Sequence, residues 1–400
     1  MRLAGLAVWA AACLGAPAGP AGEGSAAAPA GFAQALSPLV FSFPGDHGPH
    51  PAFRQEWWYL TGNLDAETGE RFGFELTFFR LALEPAAQPD AARPAAAATS
   101  AAAPLSAWRA RQIYMAHFAV TDVGAGRFRF AQKLSRDALG LAGAQSTPLR
   151  VWIDDWALEE APVGAAGAAA APGWRLHAAQ DGYQLELGLQ PLTPPVPNGE
   201  RGLSRKSAEP GNATYYYSIP RLAVQGRLIR EGHPLTVRGL AWLDREWGSG
   251  ALGARLAGWD WFALQLDDGA TLMFYALRNR DGTRDPYSAG TWIDPSGAAR
   301  PLADAGVAID VGDHWTDAHG SRYPALWHIR VPALALEVTV RPVITDQEIR
   351  STPTYWEGAV DVGGTRAGRS IAGRGYVELV GYASERSSAR ESGAAAHLDR

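Results

Sequence analysis

Short segments of alternating hydrophobic and polar residues run through most of the chain, separated by turn-forming residues. They cover 71–83, 112–121, 127–133, 149–159, 174–179, 183–189, 221–230, 234–244, 259–266, 271–278, 288–293, 326–331, 334–341, 355–362 and 371–382. Large apolar and aromatic residues at a period of two predict β-strands. Glycine-containing turns such as 122–126 and 180–182 predict hairpins. Many short strands at hairpin spacing favour barrels or sandwiches.

An internal sequence repeat divides this pattern into two halves. Trp57 and Trp259 each begin a segment in which leucine and aspartate follow seven and eight residues later; a turn comes next, and the returning segment closes with Arg80 or Arg278. Two copies far apart in the chain predict two similar barrels; the alternative is that any two Trp-led hairpins look alike. The expected fold is therefore all-β, with two tandem lipocalin-like antiparallel barrels over 38–240 and 241–386.

A tryptophan near the start of such a barrel can close one end of it, and an arginine from a later strand can stack on the ring. Trp57 or Trp58 is the candidate in the first copy, and Trp259 or Trp261 in the second. Because successive side chains on a strand point to opposite faces, we expect only one ring of each pair on each face. Which ring of each pair points inward is left open.

Residues rich in Ala, Gly and Pro interrupt the strands and extend the ends of the chain. Stretches 85–107, 161–173 and 191–212 are predicted to be surface loops. Residues 19–37 are predicted to be a flexible leader, and 387–400 a disordered tail.

The first eighteen residues predict export. Arg2 is followed by an uncharged apolar stretch over 3–14 and by small residues at 16–18, which is the pattern of a cleaved signal peptide. The alternative is a lipobox at 10–13 that leaves Cys13, the single cysteine of the chain, as a lipid-anchored first residue. Either route predicts a periplasmic or secreted protein, with association to a membrane or an envelope transport complex as an option.

Composition excludes several partners and cofactors. Hydrophobic residues make up 47% of the chain, the formal net charge is −5, and no basic block is present, so nucleic acid is not an expected partner. The sequence has no phosphate loop, dinucleotide fingerprint or serine-nucleophile elbow. No cofactor is expected.

The strongest candidate for chemistry lies between two tryptophans at the expected domain junction. Asp244 and Glu246 flank Arg245 there. A carboxyl among aromatic rings loses solvation of its charged form, so its pKa rises and it can donate a proton. Asp244 and Glu246 are therefore the predicted catalytic residues. The alternative is that both are ion-paired with Arg245 or Arg238 and fasten the barrels together.

Aromatic residues near these acids predict a ligand site for an apolar molecule. The predicted ligand-binding residues are Trp57, Trp58, Tyr59, Tyr216, Trp242, Arg245, Trp247, Trp259, Asp260 and Trp261. Asp260 is expected to pair with Arg278 in preference to serving as a second acid in the pocket.

The histidines carry weaker signals. His47 and His50 lie near carboxylates, but their spacing matches no strong metal motif, so no metal site is predicted. His117 lies among apolar residues of a strand and is expected to be a hydrogen-bonded core histidine.

Five blocks in order resemble the AttH-like family and its carotenoid 1,2-hydratases. They are QEWWYLTGNL at 55–64, WLDREWG at 242–248, GWDWFALQL at 258–266, YWEGAV at 355–360 and GRGYVEL at 373–379. The resemblance covers about 38–386 and implies two lipocalin-like barrels. It also implies either hydration of an isoprenoid double bond without a cofactor, or the kind of polyene folding that architecturally similar fungal pericyclases perform.

The chain departs from the hydratase pattern at two places. Arg245 stands where the hydratases have a histidine, and the next hairpin reads MFYA at 273–276 where they have a tyrosine and an aspartate. The first hypothesis is therefore an exported envelope protein that binds a lipid, isoprenoid or polyene. The second is a cofactor-independent hydratase or lyase, and the third is a structural partner of an envelope complex.

Overall fold

The computed structural model describes residues 31–85, 110–161, 173–250 and 253–383. The predicted signal peptide, Cys13, most of the leader, the tail at 387–400 and most of the loops at 85–107 and 161–173 lie outside these ranges. The described chain is β-structure apart from three short 3₁₀ turns at Gly45–His47, Asp304–Gly306 and Pro332–Leu334. No helix within these ranges has the length and apolarity that a membrane crossing requires.

The first sheet has thirteen strands and forms a nearly closed barrel. Its strands are β1 (Gln55–Ala66), β2 (Arg71–Ala82), β3 (Gln112–Asp122), β4 (Arg127–Arg136), β5 (Ala142–Ser146), β6 (Leu149–Ile153), β7 (Trp156–Glu160), β8 (Trp174–Gln180), β9 (Tyr183–Pro191), β10 (Val196–Pro197), β11 (Leu203–Arg205), β12 (Ala213–Arg230) and β13 (His233–Gly248). The order is β4-β3-β2-β1-β13-β12-β9-β8-β7-β6-β5, with β10 and β11 paired to β12.

The second sheet has ten strands and forms a half-barrel. Its strands are β14 (Leu256–Leu266), β15 (Thr271–Asn279), β16 (Ala289–Ile293), β17 (Ala299–Ala303), β18 (Ala308–Thr316), β19 (Arg322–Val331), β20 (Leu336–Pro342), β21 (Glu348–Ile349), β22 (Tyr355–Arg366) and β23 (Arg369–Val380). The order is β17-β16-β15-β14-β23-β22-β20-β19-β18, with β21 paired to β22.

The predicted all-β class and the two tandem lipocalin-like barrels are confirmed. In each sheet the Trp-led strand, β1 or β14, lies between the strand that follows it and the last strand, β13 or β23. The strand that contains the expected boundary after residue 240 continues in the first sheet to Gly248. The returning arginine of each hairpin forms an ion pair with an acid beside the tryptophan, Arg80 with Glu56 and Arg278 with Asp260.

The segment 191–212, predicted to be a surface loop, packs on the first sheet instead. It forms β10 and β11 along β12, and Leu203 and Ser204 are each 1% exposed. Its Ala, Pro and Gly content therefore reflects tight turns next to a sheet, and the segment contributes to the junction of the two sheets.

Strands β1, β2, β12 and β13 pack their outer faces against β14, β15, β22 and β23. A β-carbon added at Gly73 would lie 2.7 Å from the β-carbon of Ala359 and 2.9 Å from the Tyr376 hydroxyl. A glycine at this position therefore lets the sheets approach closely. Because β1 and β2 are covered on both faces, they are buried along nearly their whole length.

Candidate functional site

A cavity lies at the junction of the two sheets, with a volume of about 130 Å³. The first sheet contributes aromatic side chains from Trp57, Tyr59, Phe79 and Tyr216. The second sheet contributes Trp259, Trp261, Tyr275 and Tyr355. The predicted apolar cavity at the junction of the two barrels is present in the structure, and residues of both sheets line it.

Alternation along β1 determines which tryptophan reaches this cavity. Trp57 and Tyr59 line it, whereas Trp58 points to the opposite face and is fully buried in the core of the first barrel. In β14 the two candidate rings are two residues apart. Trp259 and Trp261 therefore share a face and both line the cavity, which corrects the expectation that only one ring of each pair could do so.

Trp58, Arg245 and Trp247, predicted to bind ligand, lie inside the first barrel and do not line the cavity. The Arg245 guanidinium lies 3.9 Å from the Trp58 ring, and its Nη2 is 3.0 Å from Oε2 of Glu56. Trp247 stacks on His50 at 3.6 Å. The expected stacking of an arginine on a tryptophan at the end of the barrel is present here. It is a structural contact, and it lies on the opposite face of β13 from Asp244.

Trp242 and Asp260 also lie outside the cavity lining. Trp242 donates from its indole nitrogen to Oδ1 of Asp244 at 2.7 Å, and this hydrogen bond helps to hold the Asp244 carboxyl in position. Asp260 accepts from Nε of Arg278 at 2.9 Å and from the hydroxyl of Tyr382 at 2.9 Å. Asp260 is thus the partner of Arg278, as expected, and a ligand-binding role for it has no support in its position.

Asp244, the first predicted catalytic residue, lines the cavity and is held by three donors. Ser218 and Trp242 donate to Oδ1 at 2.5 and 2.7 Å, and Tyr216 donates to Oδ2 at 2.6 Å. Burial raises the pKa of Asp244 to about 7, although the three hydrogen bonds act in the opposite direction. The three donors stabilise the carboxylate form of Asp244 and leave one of its acceptor positions open, so Asp244 is better placed to accept a proton than to give one.

Glu246, the second predicted catalytic residue, also lines the cavity. Lys206 lies 3.1 Å from Oε1 of Glu246, and Thr214 donates to the same oxygen. The lysine comes from the segment after β11 and also contacts the Tyr275 ring at 4.3 Å. Burial favours the neutral form of Lys206, but the charge of Glu246 and its hydrogen bond, together with Tyr275 and Asp244, outweigh this and raise the pKa of the amine. The expected pairing of Glu246 with Arg245 or Arg238 is replaced by this contact.

The cavity is also lined by three carboxyls that are not among the predicted site residues: Glu75, Glu357 and Glu378. Glu75 and Glu357 are fully buried, Glu378 is half-buried, and Glu357 and Glu378 are direct cross-strand partners on β22 and β23. Tyr59 donates to Oε1 of Glu357 at 2.6 Å, and Tyr355 donates to Oε1 of Glu75 at 3.3 Å. Oε2 of Glu75 and Oε2 of Glu357 have no hydrogen-bond partner among the described residues.

Burial, together with mutual repulsion for Glu357 and Glu378, raises the pKa of these carboxyls to neutral pH or above it. Burial raises the pKa of Glu378 to about 8, and the neighbouring Glu75 charge adds to this. Burial also raises the pKa of Glu75, and it raises that of Glu357 well above the usual range together with the charges of Glu75 and Glu378. A protonated carboxyl with an unpartnered oxygen facing an aromatic cavity can donate a proton to a bound molecule.

One sequence signal could have found these residues. Glu75 interrupts the apolar run 72–79, and Glu378 interrupts 376–380. A carboxyl in a strand that is apolar on both sides is expected to be buried, and buried carboxyls concentrate at functional sites. Their convergence is not visible in the sequence, because Glu75 lies on a strand far before those of Glu357 and Glu378 in the chain.

His117 connects to the cavity through Tyr355. Its Nδ1 lies 2.6 Å from the Tyr355 hydroxyl, and its Nε2 lies 2.8 Å from the side-chain nitrogen of Gln132. Burial lowers the pKa of His117 to about 3, so the ring is neutral. The expectation of a hydrogen-bonded core histidine matches these contacts, and its partner Tyr355 in turn contacts Glu75.

The histidine pair near the start of β1 has structural contacts. His47 lies 2.7 Å from the Tyr217 hydroxyl, and His50 lies between Asp46 and Glu56, 3.2 Å from each. Within the four described ranges, no group of three or more potential ligands has an arrangement suited to a metal ion.

Comparisons with known proteins agree with this architecture. The family model of AttH-like proteins matches residues 34–382. An AttH protein of Nitrosomonas europaea superposes with a TM-score of 0.72 at 34% sequence identity, covering 87% of this chain and 100% of that chain. Kievitone hydratase of Nectria haematococca has a TM-score of 0.62 at 15% identity, covering 88% of this chain and 97% of that chain, which shows a shared fold.

Two curated proteins are similar over part of their length. "Dehydratase asqC" of Emericella nidulans is 23% identical over 217 residues, which are 52% of this chain and 60% of that protein. Kievitone hydratase of Fusarium solani subsp. phaseoli is 24% identical over 174 residues, 42% of this chain and 49% of that protein. The matches thus span about half to three fifths of the length of these relatives.

Proposed function

The chain belongs to the AttH-like family, and from that premise we propose that it is a hydro-lyase, which adds water to, or removes water from, a carbon–carbon double bond of a hydrophobic molecule. The observation that carries the proposal is the set of three carboxyls, Glu75, Glu357 and Glu378, that face an aromatic cavity. Relatives named hydratase and dehydratase support the same reaction class.

Hydration requires a proton donor, a shelter for positive charge, and a proton acceptor. In the proposed forward reaction, the π electrons of the substrate take the proton of Glu357, which becomes a carboxylate. Water attacks the resulting carbocation, and a second carboxylate receives the proton that the water loses. Dehydration runs through the same steps in reverse, with the leaving hydroxyl protonated by a carboxyl and a carbon-bound proton returned to a carboxylate.

The residues fit these roles on geometric grounds. Glu357 has one oxygen fixed by Tyr59 and one free oxygen, which suits a donor. Asp244 accepts three hydrogen bonds and suits the acceptor role. The rings of Trp57, Trp259 and Trp261 can stabilise the carbocation through their π faces. The catalytic role predicted for Asp244 is thus kept but changed from acid to base.

The substrate in this proposal is a molecule with an alkene or a tertiary alcohol on an apolar skeleton, such as an isoprenoid or a carotenoid. A ligand carrier without chemistry is the second candidate. It is favoured by the departure of the Trp242–Gly248 block from the hydratase pattern at Arg245. Export to the cell envelope, and association with a transport complex there, are carried forward as proposals from residues 1–18.

The test is incubation of the purified protein with acyclic carotenoids, prenylated phenols and their tertiary alcohols in ¹⁸O-labelled water. Mass spectrometry should detect incorporation of the label into one of them. Replacing the proposed acid, Glu357→Gln, should lower the rate by about 10²- to 10⁴-fold. Glu348→Gln is the matched control, since Glu348 is a buried carboxyl that accepts from Tyr323 and does not line the cavity.

Each outcome decides between the two candidates. Turnover that survives Glu357→Gln unchanged would remove Glu357 as the acid, and turnover lost equally in the control would point to a general loss of structure. A co-purified hydrophobic molecule with no turnover of any substrate would favour the carrier.

A further inference from the structure

The cavity has an imbalance of charged groups. Five carboxyl side chains line it, from Glu75, Asp244, Glu246, Glu357 and Glu378, against a single lysine among the described residues. Lys206 is engaged by Glu246 at 3.1 Å. The four remaining carboxyls line the same cavity and have no ion-pair partner in the described part of the chain.

The aromatic walls are suited to positive charge. The Lys206 ammonium already lies 4.3 Å from the Tyr275 ring centre and 5.7 Å from that of Tyr216. Trp57, Trp259 and Trp261 add three indole rings to the same space. Aromatic faces carry partial negative charge, and tryptophan gives the strongest attraction for a cation. Carboxyls and indoles therefore favour the same sign of charge in a bound molecule.

We propose that this cavity selects hydrophobic organic cations, namely amphiphilic tertiary and quaternary amines, over neutral or anionic molecules of the same shape. The proposal extends the proposed function to the class of molecule that the cavity binds, and its relevance to catalysis rests on that function. A site built for a transient carbocation binds a stable ammonium ion that resembles it, because catalytic sites complement the transition state more closely than the substrate.

The protonation of the cavity makes the preference depend on pH. Burial raises the pKa of Glu75 and Asp244 to about 7 and that of Glu378 to about 8, so these three carboxyls ionise as the pH rises from 6 to 9. Other facing groups do not change in this range: burial raises the pKa of Tyr59, Tyr216, Tyr355 and Tyr376, and it keeps His117 neutral. Lys206 stays charged. Cation affinity should therefore increase from pH 6 to pH 9, with release of protons on binding.

The test compares benzyltrimethylammonium with neopentylbenzene, in which a carbon replaces the charged nitrogen. Binding to the full-length protein is followed by tryptophan fluorescence between pH 6 and pH 9. The cation should bind at least about tenfold more tightly at pH 8. Because this cation has no titratable proton, any pH dependence of its affinity belongs to the protein. Calorimetry in buffers of different ionisation enthalpy should detect the released protons.

Variants connect the preference to the cavity. Glu378→Gln should weaken cation binding several-fold at pH 8 and leave neopentylbenzene binding unchanged. Asp310→Asn is the control. Asp310 on β18 is an exposed carboxyl paired with Arg330, so this substitution removes the same charge at a place away from the cavity. Ligand-free thermal melting shows whether each variant is folded, and the pH series on the unmodified protein does not depend on any variant.

Equal affinity for the two ligands, or cation affinity that does not change between pH 6 and pH 9, would overturn the proposal. Failure of the proposed function has a different signature. A protein that selects the cation but shows no ¹⁸O incorporation into any alkene would retain the binding preference and lose the hydro-lyase assignment. If turnover occurs, benzyltrimethylammonium should inhibit it more strongly at pH 8 than at pH 6.

Discussion

The Tyr59 hydroxyl on β1 donates a 2.6 Å hydrogen bond to Oε1 of Glu357 on β22. This contact joins the two sheets through a group that faces the cavity, so the proposed acid is held by a strand of the other barrel. A change at the junction is therefore expected to affect both stability and the site.

Replacing the donor, Tyr59→Phe, should lower the free energy of unfolding by about 1–3 kcal/mol, because a buried carboxyl oxygen loses its partner. It should also weaken ligand binding in the cavity. Urea unfolding and ligand titration measure the two effects. Tyr183→Phe is the control: its hydroxyl donates to Asp122 at 3.0 Å and does not line the cavity. A control variant that impairs ligand binding to the same degree would contradict the special role of Tyr59.

Arg245→Met should be more destabilising than any change in the cavity. The guanidinium is fully buried, pairs with Glu56 and stacks on Trp58, so its removal leaves a buried carboxylate with less compensation, at a cost of about 3–5 kcal/mol. Arg227→Met, which breaks a largely exposed pair with Glu186, should cost about 0–1 kcal/mol. Comparable losses of unfolding free energy in the two variants would mean that the buried network is not the closure of the first barrel.

Much of the fold could be predicted from local patterns. Alternation gave the strands, and the repeated Trp-led hairpin gave two similar sheets, because both signals are local in sequence. The face of each side chain was harder to predict. On strands such as β1, where both faces are buried, periodicity does not tell which face meets the other sheet.

The candidate site was predicted only in part for the same reason. Asp244, Trp57 and Trp261 line the cavity as expected, but Arg245 and Trp247 point the other way. The remaining acids could not be placed because the cavity forms only when β2 meets β22 and β23. Lys206 was missed because its segment has a loop-like composition, although it packs along β12.

The close approach of the sheets at Gly73 gives a second test of the junction. Gly73→Ala should cost about 1–3 kcal/mol, because the new methyl group would overlap Ala359 and Tyr376 of the second sheet. Gly363→Ala is the matched control on β22, since a β-carbon there meets no atom within 4 Å. Chemical denaturation compares the two. An unchanged Gly73→Ala variant would show that the sheets can separate at this point without loss.

Export is tested by the mature N-terminus. Expressed in a Gram-negative host, the protein is expected in the periplasmic fraction, with cleavage after Ala18. Intact-mass measurement distinguishes this product from one that begins with a lipid-modified Cys13. A Leu6→Arg change in the apolar stretch should retain the full-length precursor in the cytoplasm, whereas Ala27→Ser, beyond the predicted cleavage site, should not. A full-length, unprocessed protein in the cytoplasm would remove the export proposal.

The cavity carboxyls predict an unusual dependence of stability on pH. An exposed aspartate or glutamate in the unfolded chain has a pKa near 4, whereas burial raises the pKa of Asp244 to about 7 and that of Glu378 to about 8 in the folded protein. Between these values the folded state holds protons that the unfolded state has released. Raising the pH from about 7, where His47 and His117 are mostly neutral in both the folded and the unfolded state, to about 8 should therefore lower the free energy of unfolding.

Glu56 acts in the opposite direction, but in a different range. It is fully buried, and the charges of Arg80 and Arg245 and a hydrogen bond from His50 outweigh its desolvation and lower its pKa, so its contribution is lost only as the pH falls below the ordinary glutamate value. The two effects therefore separate. Glu378→Gln should flatten the slope between pH 7 and pH 8 in urea-unfolding measurements, while Asp310→Asn should leave it unchanged. A slope of the opposite sign between pH 7 and pH 8 in the unmodified protein would mean that the cavity carboxyls have already released their protons at neutral pH, and the basis for Glu357 as the proton donor would be lost.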